Sequence, residues 1–280
     1  MSSSSRIGTA LLRIAIVALL SVIALTTLYP LFFTLNASFK TQKEWSLNNF
    51  RLSVPPDVGN YVDAWNRSAV PRTFLNSIVV TAGGVLGALL ICTMAAFSAS
   101  KLKFSGNNVI FLILLASMIV PIQTILYPFY KTMNDFKLTN RYVGMILTYV
   151  AFGIPLTTYQ LAAYFKSIPD SLIESAKMDG ASVLRVIFQI IFPISRPVVF
   201  TVSLINFVWM WNELLMPVTV MNNPKMYTLI QSLALLRGQY GAFPTLISAG
   251  VVIGIIPVSL IYFIAQKQII KGMTLGAVKG

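Results

Sequence analysis

The sequence predicts an all-α, polytopic membrane protein: six transmembrane helices with a helix-elbow-helix loop at the membrane surface. Three observations predict it. Of 280 residues, 56% are hydrophobic and only 10% charged, against about 25% charged in globular chains, too few to cover a soluble surface. Six apolar segments each approach the roughly 20 residues that a helix needs to cross the hydrocarbon core. Between the fourth and fifth lies one polar interruption, 165–197, with three acids (Asp170, Glu174, Asp179) and four bases (Lys166, Lys177, Arg185, Arg196).

Residues 1–13 read as a short disordered cytoplasmic tail, 14–266 as the transmembrane domain and 267–280 as a second cytoplasmic tail. The first apolar run, 14–35, is broken by Pro30. It is longer than the roughly 7–15 residues of a signal-peptide core, so it reads as an uncleaved span. Residues 36–72 are polar and rich in turn formers, an external loop too short for a domain. The second and third spans, 74–98 and 109–130, are joined by the short basic turn Lys101-Leu102-Lys103-Phe104-Ser105-Gly106, of the kind kept on the cytoplasmic side. Gly83, Gly84 and Gly87 allow close backbone approach in the second span, which points to helix packing. The remaining spans are 142–164, 198–220 and 246–265.

Inside 165–197 two short helices are legible. Pro169 suits a helix start, and Ser171-x-x-Glu174 has the spacing of a capping box. Gly180 can take the positive φ that stops this helix. A second helix is expected over 182–192, with Ser182, Arg185 and Gln189 on one face and Pro193 ending it.

The composition excludes several functions. The net charge of +13 is scattered among loops, which favours anionic lipid headgroups and not nucleic acid. A single cysteine, Cys92, permits no intrachain disulfide and fits no metal motif. There is no G-x-x-x-x-G-K-[ST] phosphate loop, so the chain cannot split ATP in the P-loop manner. The spans hold one acid, Glu213, and no histidine, which leaves ion-coupled transport poorly supported. No paired carboxylate or nucleophile constellation suggests an enzyme.

The fifth span carries Asn206, Trp209, Trp211, Asn212 and Glu213. Aromatic faces with amide and carboxylate groups suit a sugar's C–H surfaces and hydroxyls. Two readings stay open, a carbohydrate path or interfacial tryptophans with inter-helix hydrogen bonds. Gln123 and Tyr127, near Pro121 and Pro128, form a second candidate wall.

Glu174-Ser175-Ala176, then Asp179-Gly180-Ala181, then Ile190 three residues before Pro193, resemble the EAA loop of binding-protein-dependent ABC importers; Ser175 replaces the usual alanine. Thr73-Phe74-Leu75-Asn76-Ser77, the Lys101–Gly106 turn, Trp211-Asn212-Glu213 and the carboxyl-terminal Lys271-Gly272-Met273 stretch resemble the sugar-importer branch, specifically the smaller permease of the maltose-transporter type. The resemblance implies a bacterial plasma-membrane subunit, with the loop docking on an ATPase subunit dimer that carries ATP and Mg, and no cofactor on this chain. It implies a second homologous permease, an external solute-binding protein and a sugar substrate. The loop from 222 to 244, with Asn222, Lys225, Gln239 and Tyr240, is expected to face the binding protein, and both termini the cytoplasm. Lysine and arginine number eleven on the implied inner side and ten outside, so orientation rests on the resemblance. The alternatives are a permease for a non-sugar solute or an ion-coupled carrier.

Overall fold

A computed structural model describes the backbone of residues 3–239 and 243–277, and the side chains of 11–236 and 243–266. The described residues form helices and no strand. They divide into two compact units, 1–68 with 233–255, and 69–232 with 256–280.

In the first unit, α1 (Ser3–Ser38) carries Pro30 within it. It begins at Ser3, earlier than the predicted span, and the single glycine ahead of Ile14, Gly8, does not end it. The segment that follows is folded, not an open loop. α2 (Gln42–Leu47) is capped by Thr41 and Glu44, whose side chains exchange hydrogen bonds with each other's backbone amides, and α3 (Gly59–Arg67) follows. Asn36 donates to Arg51 O and accepts from Ser53 N, while Asn60 donates to Ser38 O and Lys40 O. Paired amides thus satisfy the turn's backbone groups where no ladder exists.

The second unit is built on α4 (Val70–Lys101). Α glycine turn at Gly106 leads to α5 (Asn107–Ala116) and, past two 3₁₀ turns around Pro121, to α6 (Leu126–Asp135). This pair bends by 91°, so the third predicted span is broken, at the proline that removes a backbone donor. α7 (Tyr142–Phe165) lies along α4. A Cβ on Gly84 would stand 2.8 Å from Tyr149 Cβ and 2.9 Å from Met210 Sδ, and one on Gly87 2.7 Å from Val150 Cγ2. The glycine stripe is therefore a helix-packing face, as the sequence suggests.

α8 (Asp170–Met178) and α9 (Val183–Val186) follow, then a widened π turn over 187–191, α10 (Phe192–Ile194), and an 85° bend into α11 (Arg196–Asn212). The expected stop at Pro193 is displaced to Ser195. Proline's ring collides with the carbonyl four residues back in a regular helix. Here Phe192 N–H reaches five residues back to Ile187 O, and the wider turn admits the ring. The fifth predicted span is likewise broken, at Glu213 and Leu214, before α12 (Leu215–Val220). α13 (Leu229–Gln239) and α14 (Pro244–Ala277) complete the chain, α14 continuing past residue 266 where a tail is expected. Among the described residues four helices are long and apolar enough to cross a membrane, and up to six spans result if each bent pair counts as one.

Candidate functional site

Three places gather the predicted residues. At the α8–α9 elbow, α8 buries one stripe and exposes the rest. Ile173 and Ala176 enter the core formed by Phe97 of α4, Leu161 and Phe165 of α7, and Ile187 and Ile191. Their spacing of three residues is the helical period. Ala176 is thus a packing residue, while Glu174, Ser175, Asp179 and Gly180 are exposed. The helix ends in a Schellman turn. Ala181 N–H donates to Ala176 O at 2.9 Å and Gly180 N–H to Lys177 O at 3.0 Å, with Gly180 at φ +77°, the conformation only glycine takes without penalty. A Cβ on Gly180 would meet nothing within 4 Å, so its outer face is open.

The predicted Ser171–Glu174 capping box does not form. Pro169 is the N-cap, which moves Ser171 inside the helix, where its carbonyl accepts from Ser175 Oγ. Lys101, the last residue of α4, anchors the helix start instead. Its Nζ lies 2.5 Å from Ile168 O and 2.6 Å from Asp170 Oδ1. That hydrogen bond, then the Lys101 charge and Lys103 beyond it, hold the Asp170 carboxyl below the usual carboxylate range. On α9, Ser182 caps Arg185 N and Arg185 Nε donates to Gln189 Oε1, the shared face expected from sequence. Ile190 and Pro193 are half-buried, Ile190 against the same core.

The elbow also exposes residues that sequence reading missed: Leu172, Met178, Val183 and Leu184, with Met178 88% exposed. They lie off the buried stripe, and apolar residues on the wet side of a short amphipathic helix are the sign that could have found them.

The second place is a groove of about 530 Å³ lined by Ile122, Phe152, Pro155, Ile205, Asn206 and Trp209 among others. Of the fifth-span candidates only Asn206 and Trp209 meet there. Asn206 is 6% exposed; its Nδ2 donates to Thr157 Oγ1 and Val202 O, and its Oδ1 sits beside Gly153, where a Cβ would be 3.2 Å away. Trp211 faces elsewhere, buried edge-on against Phe74 and stacked on Phe207. Asn212 Nδ2 donates to Val208 O on its own helix, and Glu213 Oε1 accepts from Leu215 N and Met216 N, capping α12. Gln123 and the 78%-exposed Tyr127 are not among the lining residues. Proline breaks and a two-residue helical offset separate these side chains.

The third place is the segment between α12 and α13. Asn222 and Lys225 are exposed, and their backbone is tied to α4 and to Asn140. Gln239 ends α13, its side chain not described; Tyr240 lies outside the described residues. No group of metal-ligating side chains occurs among the described residues.

Known proteins share this architecture. The chain is 34% identical over 265 residues to the multiple sugar-binding transport system permease protein of Streptococcus mutans, covering 93% of this chain and 95% of that one. It is 31% identical over 265 residues to the diacetylchitobiose uptake system permease protein of Streptomyces coelicolor, covering 92% and 86%. A chain from the crystal structure of a bacterial ABC transporter involved in the import of the acidic polysaccharide alginate superposes with a TM-score of 0.77 at 27% identity, covering 95% of this chain and 98% of that one. Residues 67–275, which include the elbow, the groove and the α12–α13 segment, match the family described as binding-protein-dependent transport system inner membrane component, and the chain belongs to that family.

Proposed function

We infer that this chain is a membrane-spanning permease of a carbohydrate ABC importer, passing a sugar or oligosaccharide across the bacterial plasma membrane by alternating access. The observation that carries the reading is the elbow. A Schellman turn fixes Gly180 with its outer face open, flanked by exposed Glu174, Asp179 and Met178, while Ile173 and Ala176 root it in the bundle core. Such a knob is shaped to sit in another protein and to pass movement inward.

The chain carries no phosphate loop, so energy comes from a separate ATPase pair that holds ATP and Mg. The elbow must meet those subunits and therefore faces the cytoplasm, with both chain termini on that side. The α12–α13 segment then faces outward, toward the solute-binding protein. A second, homologous permease completes the pathway. The names of the relatives, which speak of diacetylchitobiose, multiple sugars and alginate, support a carbohydrate cargo. The groove offers Trp209 for a pyranose face and Asn206 Oδ1 for a hydroxyl.

The test is reconstitution of the full complex in proteoliposomes with ATP inside and labelled oligosaccharide outside. ATP-dependent uptake that requires the binding protein is expected. Uptake by this chain alone under a proton or sodium gradient overturns the reading. ATP-driven uptake of a non-sugar solute in preference to any sugar overturns the cargo class and keeps the permease.

A further inference from the structure

Asn76 lies one turn and a half into α4 and is 3% exposed. About 25 residues separate it from Lys101, so it sits roughly 37 Å along α4 from the residue that anchors α8, at 1.5 Å per residue. Both hydrogens of its amide are used: Nδ2 donates to Lys225 O at 3.0 Å and to Tyr227 O at 2.9 Å. Its Oδ1 accepts from Tyr142 Oη, at the start of α7, at 2.7 Å. The orientation of the amide is dictated by chemistry, because two carbonyls can only accept.

Around this node several backbone groups of 221–229 are tied to side chains outside the segment. Asn140 Oδ1 accepts from both Asn222 N and Asn223 N at 2.8 Å, Ser77 Oγ accepts from Leu229 N at 2.8 Å, and Gln231 Nε2 donates to Met221 O at 2.6 Å. An irregular surface segment ordinarily satisfies its backbone with water. This one is held by Asn76 and Ser77 of α4, by Asn140 just ahead of α7 and by Gln231 of α13, and Tyr142 of α7 reaches it through Asn76, so its shape depends on where α4 and the start of α7 stand.

We propose that Asn76 is the positioning residue that ties the outward-facing α12–α13 segment to α4 and α7, so that the position of these helices sets the surface offered to the solute-binding protein. This rests on the importer reading above. Asn76 touches neither cargo nor binding protein; it acts through Lys225 and Tyr227. Each bond is buried or half-buried, and leaving a buried carbonyl without its donor carries the full desolvation penalty.

The experiment uses the complete reconstituted transporter and titrates ATP hydrolysis against purified binding protein loaded with sugar. Asn76→Asp keeps size and the Tyr142 bond but replaces two donors with an acceptor facing two carbonyls. The half-saturating binding-protein concentration should rise about tenfold, with ATP turnover at saturation within about twofold of wild type. Tyr142→Phe, which removes one bond to Asn76, should raise it about threefold. An unchanged half-saturation in Asn76→Asp, with or without a lower maximal rate, overturns the proposal, since a merely structural defect lowers the amount of active complex and not its half-saturation. Should Asn76→Asp fail to assemble, Tyr142→Phe decides: a shift supports the proposal and no shift overturns it. A wild-type complex whose ATP hydrolysis ignores the binding protein would instead defeat the importer reading.

Discussion

Lys101 Nζ and Asp170 Oδ1 are 2.6 Å apart although 69 residues separate them in the chain, and the lysine side chain is only 4% exposed while the aspartate's is 67%. The same ammonium holds Ile168 O. One buried cation thus fastens the short link between α7 and α8 to the end of α4. Lys101→Gln should lower the amount of sugar moved per ATP hydrolysed several-fold, because Ile168 O loses a charged donor worth about 1.5–3 kcal/mol. Asp170→Asn should do less, since an exposed ion pair is well screened. Uptake and ATP hydrolysis measured on the same proteoliposomes give the ratio; an unchanged ratio in Lys101→Gln would show that the clasp transmits nothing.

The Asp170 carboxyl is held below its ordinary range, first by the Lys101 hydrogen bond and then by charge. A depressed folded-state pKa contributes stability that is fully present above the unfolded value, roughly 3.9, and is lost as pH falls through the folded value. The clasp is therefore intact across the neutral range. The ratio of wild-type to Asp170→Asn uptake should stay constant between about pH 5.5 and 8. A ratio that changes through this window would mean that Asp170 titrates there.

Gly180→Ala separates folding from docking. The added Cβ enters open space, but φ is +77°, so the cost is the left-handed penalty of about 1–2 kcal/mol. The purified subunit should lose only a few degrees of thermal stability. Capture of the ATPase subunit on the assembled permease pair should weaken more than the stability loss explains, because the methyl covers the elbow's outer face. Equal capture by wild type and variant counts against the elbow as the docking point.

Trp209 and Trp211 should fail differently. Trp211→Ala removes a buried ring between Phe74 and Phe207 and should cost about 3–5 kcal/mol of stability. Trp209→Ala opens a groove wall and gives up a contact with Tyr149, so it should raise the sugar concentration needed for half-maximal uptake with a smaller loss of melting temperature than Trp211→Ala. Matching melting losses in the two variants would remove Trp209 from the cargo path.

Much of the elbow was legible because its demands are local. Gly180 is readable from the need for positive φ, whereas the packing of Ala176 one helical step from Ile173 came only from the structure. The capping box was misplaced because Pro169 shifts the helix start, and a tertiary contact from Lys101 satisfies what the box would have. The break at Glu213 was hidden for another reason. Apolar composition measures whether a segment can cross a bilayer and says nothing about whether it does so straight. Trp209 and Trp211 could not be told apart either, since two residues along a helix reverse the face and only the packed partners say which face is core. The Asn76 network was invisible, as it joins residues about 150 positions apart.

The glycine face between α4 and α7 leaves no room for either helix to slide on the other, with Gly84 and Gly87 each pressed by side chains of α7. Two helices locked in this way behave as a single stiff rod, about 48 Å long if measured along the 32 residues of α4. Lys101 holds α8 at one tip, and Asn76 with Tyr142 holds the α12–α13 segment near the other. A rod gripped at both tips links the position of one to that of the other, so under the importer reading a displacement of the knob reaches the α12–α13 segment as geometry, with no chain of intermediate rearrangements required.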